Sequence, residues 1–155
     1  MTPDNFEFAV NITDTMNWKM AEEDFDFMLK LEPKGCFVLL DDSEKIGIAT
    51  TISFGKVGWF GNLIVTKAHQ NKGAGSQLVK HAIKYLTNKK AETIGLYAYL
   101  DKIPFYRKLG FEYESEFIVL KGKGFWIFLK KNQQEQSFLI GLRWPSLVEH
   151  LQILI

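Results

Sequence analysis

Apolar residues recur along this chain in two periods, and the switches between them lay out the expected elements. "FEFAVNI", residues 6–12, alternates apolar and polar positions and reads as a strand. Residues 12–31 read as helix in two pieces: Asp14 is placed to cap the first, and Phe25, Met28 and Leu29 fall at helical spacing in the second. "PKG" ends that helix. "CFVLLDD", a turn at 42–44 and "IGIATTISF" read as a hairpin, and after "GK" comes another strand, "VGWFGNLIV". A helix of about 16 residues, roughly 24 Å long, follows. Its apolar stripe is Leu78, Val79, Ala82, Ile83 and Leu86, with Lys80, His81 and Lys84 on the other side. "TIGLYAYL" is a strand. Pro104 opens a short helix, "PFYRKL", which Gly110 ends. "FEYESEFIVLK" alternates as a strand, and "GKG" turns into a last one, "FWIFLKK".

The resulting order, β-αα-βββ-α-β-α-ββ, predicts an α/β (α+β) fold with a mixed central sheet of about six to seven strands flanked by helices. Residues 132–155 are surplus to it. Past Trp144, Pro145 and Ser146, an apolar stripe of Leu147, Val148, Leu151, Leu154 and Ile155 reads as a short amphipathic helix, which either packs on the parent sheet or joins two copies as a homodimer. The expected organisation is one domain over 1–131 with an extension over 132–155. A chain of 155 residues is of single-domain size.

Composition narrows the function. A net charge of +1 makes no case for nucleic acid or a membrane surface as partner. One cysteine, Cys36, excludes an internal disulfide and fits a reducing compartment, so a cytoplasmic location is expected; within "CFVLL" it reads as a buried structural thiol. The N-terminal residues lack the pattern of a signal peptide, and no run of 18 apolar residues suggests a spanning helix. The charge is unevenly spread: eight acids against two lysines up to Glu32, then six lysines and no acid from Lys67 to Lys90. These are either two solvated helix faces, or a surface for a cation followed by one for a polyanion. His69, His81 and His150 have no metal-ligand spacing, and no metal is expected.

The candidate chemistry lies in "HQNKGAGSQLV", residues 69–79. A helix that opens on glycines offers unpaired N–H groups and a positive dipole end to an anion. Gln70, Lys72 and Ser76 can add side-chain donors. The Walker loop and the dinucleotide fingerprint are both absent. Gln70, Gly73 and Gly75 follow an apolar strand, and Tyr106, Gly110 and Phe111 come in "FYRKLGF" about 30 residues later. Together they resemble the signature of the GNAT superfamily of N-acetyltransferases, over about residues 6–130.

The resemblance implies the GNAT acyltransferase fold, with a mostly antiparallel sheet, and acetyl-CoA as cosubstrate. It implies that the pyrophosphate rests on the N–H groups of Gln70, Asn71, Lys72, Gly73, Ala74, Gly75 and Ser76, and that the pantetheine arm pairs with the backbone of Leu63, Ile64 and Val65. A primary amine would attack the thioester directly in a ternary complex, with Val65 N–H facing the oxyanion and Tyr106 as general acid. An alkylammonium must first lose a proton, at a cost of about 4–5 kcal/mol at neutral pH. The glutamate that many relatives carry before the signature loop is missing from "VGWFGNLIV", where Asn62 is the only polar side chain and at most holds a water. Asp101, Glu22, Glu23 and Asp24 are the other acids in reach, each more often a solvated carboxylate. Tyr99 stands where relatives often have an asparagine that contacts the cofactor arm. The acidic N-terminal third suggests a cationic acceptor, a small molecule or a peptide. The alternative reading is a non-catalytic acyl-CoA-binding sensor.

Overall fold

The computed structural model of the protein describes residues 1–119 and 137–144. They fall into two compact units, Met1–Ile94 and a second that begins at Gly95.

The first unit opens with a helix, α1 (Phe6–Asp14), where the alternation of "FEFAVNI" suggested a strand. The buried positions are Phe6, Ala9, Ile12 and Thr13, which are spaced three to four apart. Ala9 carries the difference: a small residue at the helical contact point is invisible to a period-2 count. Asp14 is the last residue of α1, not its cap. The link to α2 (Glu22–Leu31) contains two left-handed residues, Asn17 (φ 56°) and Lys19 (φ 51°). Asp24 Oδ2 accepts the Ala21 N–H at 2.8 Å, closing the head of α2. Phe25 is fully buried and stacks on Phe6 at 6.4 Å between centroids, a burial worth about 1.5–3 kcal/mol.

Strands β1 (Cys36–Asp41), β2 (Glu44–Phe54) and β3 (Val57–Val65) follow as expected. They pair antiparallel, β1 with β2 and β2 with β3, joined by tight turns at Asp42 (φ 49°) and Gly55 (φ 70°). Helix α3 spans Ala74–Asn88. Successive residues of β3 face opposite ways. Ile64, with Ile48, packs among Phe6, Ala9, Ile12 and Phe25 of α1 and α2, whereas Val65 packs with Ile46, Ala49, Ala74 and Leu78 on the α3 side. Gly47 keeps that second contact close, since a Cβ there would lie 2.8 Å from the Ile64 carbonyl.

The second unit begins within β4 (Thr93–Tyr99), where Leu96 and Ala98 are buried and Tyr97 is exposed. Helix α4 (Ile103–Lys108) begins with a proline in its first turn. It stops through a Schellman pattern: Phe111 N–H donates to Tyr106 C=O, Gly110 N–H donates to Arg107 C=O, and Gly110 takes φ 94°. Strand β5 (Glu112–Val119) pairs antiparallel with β6 (Ser137–Trp144). No strand was expected at β6, because the nearly continuous apolar run "FLIGLRW" shows neither period. The expected strand "FWIFLKK" and the helix after Ser146 lie outside the described residues.

Candidate functional site

The cofactor-binding candidates of the first unit form one strand–loop–helix segment. Ile64 and Val65 are buried and Leu63 partly so, which leaves their side chains to the core and only their backbones to a ligand. Thr66 N–H donates to Ile46 C=O at 2.8 Å, anchoring the exit from β3. A 3-10 turn, Lys67–His69, then leads to the loop. His69 bridges this turn, with Nδ1 3.0 Å from Thr66 Oγ1 and Nε2 3.6 Å from Asp41 Oδ2. Gln70 Nε2 donates to Val65 C=O at 2.9 Å. The glutamine side chain therefore ties the loop back to the end of the strand.

Two left-handed residues, Asn71 (φ 61°) and Gly73 (φ 92°), turn the chain into α3 on either side of the exposed Lys72. A Cβ at Gly73 would meet nothing within 4 Å, so glycine is required there by conformation and the side it faces is open. No side chain caps α3, and its first turn contains no acid. The first main-chain bond runs from Gln77 N–H to Gly73 C=O at 3.1 Å, which leaves the N–H groups of Ala74, Gly75 and Ser76 ahead of the helical ladder. Ala74 itself is core, while Gly75 and Ser76 are half-buried.

Asn62 marks a break in β3. The register passes from Ile48↔Ile64 to Thr50↔Gly61, so Asn62 and Leu63 together face Ala49. Asn62 takes φ 49°, a left-handed conformation that asparagine tolerates best among non-glycine residues. Its Nδ2 donates to Thr50 Oγ1 at 3.1 Å and contacts Met28 Sδ at 3.2 Å. Glu22 and Glu23 are exposed in the first turn of α2.

The second unit holds Tyr106 and Asp101. Tyr106 is buried, its ring edge-on to Phe105 at 4.9 Å and to Phe111 at 5.9 Å between centroids. Burial pushes its phenol well above the usual tyrosine range, so it stays protonated throughout the neutral range. Asp101 is exposed and paired with Lys102 at 2.6 Å. Tyr99 is half-buried. His81 lies exposed against the Phe37 ring, and His150 is outside the described residues. Among the described residues, no cluster of His, Cys, Asp and Glu has the makings of a metal site, and no helix is long and apolar enough to cross a membrane.

Sequence reasoning missed the parts Thr66, His69, Asp41, Thr50 and Met28 play around this segment. The three-residue spacing of Thr66 and His69 was a usable sign of a local side-chain bridge. Nothing local pointed to the others.

A strand clamped to a left-handed loop at the uncapped head of a helix leaves main-chain N–H groups and a positive dipole end facing outward. The chain belongs to the GNAT family of acetyltransferases, whose family model matches residues 5–111. No curated protein sequence matches it. Among solved structures, a candidate acetyltransferase from Pyrococcus horikoshii is 28% identical with a TM-score of 0.68, covering 76% of this chain and 43% of its own. This chain thus spans under half the length of that protein. The ribosomal-protein-S18-alanine N-acetyltransferase from Escherichia coli is 17% identical with a TM-score of 0.75, covering 100% and 96%. A GNAT family acetyltransferase from Elizabethkingia anophelis, solved with acetyl-CoA bound, is 20% identical with a TM-score of 0.61, covering 82% and 84%. These last two likenesses show the fold, a mixed α/β arrangement with a mostly antiparallel sheet flanked by helices.

Proposed function

We propose that the protein transfers an acetyl group from acetyl-CoA to a primary amine, by direct attack in a ternary complex, within a domain spanning 1–131. The observation that carries this reading is the open head of α3. There the N–H groups of Ala74, Gly75 and Ser76 precede the helical ladder, and Gln70 holds the loop against Val65. A diphosphate suits that geometry, with Lys72 and Ser76 as further donors. The backbone of Leu63, Ile64 and Val65 would take the pantetheine amides. As the amine attacks the thioester carbonyl, negative charge gathers on its oxygen, where a main-chain N–H of β3 such as that of Val65 stabilises it. Collapse expels the CoA thiolate, which takes the proton of the buried Tyr106 phenol, and the phenol is restored by the proton that the attacking nitrogen sheds on becoming an amide.

The amine must arrive neutral or lose its proton in the site. Asp101, exposed beside Lys102, is the carboxylate offered for this proton, and Asn62, which is engaged with Thr50 and Met28 and has no basic group, at most holds a water there. The test follows thiol release from acetyl-CoA with spermidine, L-lysine, kanamycin and an alanine-ended peptide as amines. Turnover with one of them, cut about 10²- to 10⁴-fold in Tyr106→Phe with CoA affinity retained, supports the reading. CoA binding without turnover on any amine identifies a sensor instead. Gly75→Asp, which adds a carboxylate to the cradle, weakens CoA binding; unchanged affinity in this variant removes the cradle from the argument.

A further inference from the structure

Asn62 is the meeting point of three elements. Its side-chain amide reaches Thr50 Oγ1 of β2 at 3.1 Å and Met28 Sδ of α2 at 3.2 Å, and Thr50 Oγ1 in turn lies 3.4 Å from the Gly61 carbonyl of β3. Asn62 lies where β3 leaves its register with β2, between Gly61 and Ile64. A bulge of this kind frees main-chain groups from the ladder and bends the strand, and it is held only if something fixes the extra residue. Here the left-handed backbone of Asn62 is fixed by its own side chain. Thr50 is buried, which protects the contact from water, and a thioether is a weak acceptor that gives direction more than energy.

We propose that Asn62, Thr50 and Met28 are positioning residues for acyl transfer. Together they hold the β3 bulge so that its main-chain donors are aligned before the thioester arrives, and they tie that alignment to the placement of α2. The proposal rests on the acetyltransferase reading above. Charge on the thioester oxygen develops only in the transition state, so donors aligned beforehand lower the barrier without tightening ground-state binding. Loosening the bulge therefore lowers kcat and leaves the KM for acetyl-CoA nearly unchanged. The diphosphate, which carries the cofactor's charge, is the task of residues 70–76, past the end of β3, so the larger part of cofactor affinity lies outside the bulge and only the pantetheine pairing meets the strand.

Two variants separate the amide from the backbone and from packing. Asn62→Gly keeps the left-handed conformation and removes the amide. Met28→Leu keeps the volume and removes the sulfur. Both are assayed for thiol release from acetyl-CoA with the same four amines, for CoA binding by calorimetry and for Tm. The expected result is a fall in kcat of about 10- to 100-fold for Asn62→Gly, the scale of a small misalignment of reacting groups, with the Kd for CoA within about twofold of wild type. Met28→Leu lowers kcat by a smaller factor, and in the double variant the two losses do not add. A wild-type kcat in Asn62→Gly, or additive losses, overturns the proposal. If Asn62→Gly melts below the assay temperature, Met28→Leu decides alone, and an unchanged kcat there overturns it equally. A wild-type protein that turns over none of the amines removes the acetyltransferase reading and this inference with it; failure of the inference alone leaves the wild type active.

Discussion

Glu32 is the most demanding side chain in the first unit, and replacing it tests how that unit is held together. It follows the last residue of α2 and is only 5% exposed. Oε1 accepts from the Tyr85 hydroxyl at 2.6 Å and from Lys89 Nζ at 3.0 Å, and Oε2 accepts from Ser53 N–H at 3.1 Å. One carboxylate thus joins the end of α2 to β2 and α3. Burial pushes its pKa up, but the bonds from Tyr85, Lys89 and Ser53 with the Lys89 charge outweigh that, and the net shift is downward. Glu32→Ala leaves the Tyr85 hydroxyl and the Ser53 N–H facing each other across an empty place, at about 1–3 kcal/mol for each donor that stays dry. Lys89 is 46% exposed and turns to water at little cost. The sum is about 3 kcal/mol, at the low end of what breaking a buried pair costs. For a chain of this size that corresponds to a Tm lower by about 6–12 °C.

The same group sets an acid dependence with a definite sign. Its folded pKa lies below the unfolded value of 4.5, so its contribution is fully present above pH 4.5 and fades as the pH falls through the folded value. Glu32→Gln keeps the size but turns an N–H₂ toward one of the donors. Its stability deficit, read from urea unfolding at a series of pH values, is therefore largest at neutral pH and shrinks below pH 4.5. A Tm for Glu32→Ala within about 2 °C of wild type, or a deficit in Glu32→Gln that does not change with pH, refutes the reasoning.

The other expectations concern the same unit. Gly35→Ala would set a Cβ 2.3 Å from Glu32 Cγ and 2.5 Å from Thr51 Oγ1, so a urea midpoint lowered by about 1–3 kcal/mol of stability is expected, and an unchanged midpoint counts against this packing. Cys36 is buried, which pushes its thiol up to about 11; at pH 8 it should react with a disulfide reagent only as the protein unfolds, and immediate labelling of the native protein contradicts its placement. Gln70→Ala removes the bond to Val65 C=O, worth about 1 kcal/mol, so CoA should bind roughly fivefold more weakly by calorimetry, and an unaltered Kd means the clamp does not shape the loop.

What could be read along the chain was local. The hairpin strands, the apolar stripe of α3 and the helix stop at Gly110 announce themselves within a few residues. At α1 the same method failed, because Phe6, Phe8, Val10 and Ile12 satisfy a strand count, and only the three-dimensional burial of Ala9 decides for helix. Strand β6 owes its identity to pairing with β5 more than to its own pattern. At the candidate site, the glycines and Lys72 were legible as a loop, but the contacts around it were not. Asn62 meets Met28 from 34 positions away, and Glu32 meets Tyr85 from 53. No local period reports such pairs.

The signature itself divides into parts with different physical duties. Gly73 is there for a left-handed turn, and Gly110 and Phe111 close a helix end whose hydrophobic contact is the ring of Tyr106. A sensor and an enzyme need these positions equally, so their presence argues for the fold and not for catalysis. Phenylalanine at 106 would keep the edge contacts with Phe105 and Phe111 and the carbonyl that receives the Phe111 N–H. Only the hydroxyl would go. The conservative change at this one position therefore leaves these ring contacts and the helix stop in place: a folded Tyr106→Phe protein that keeps wild-type CoA affinity and Tm and turns over slowly assigns the proton to this phenol, and one that turns over as fast as wild type takes it away.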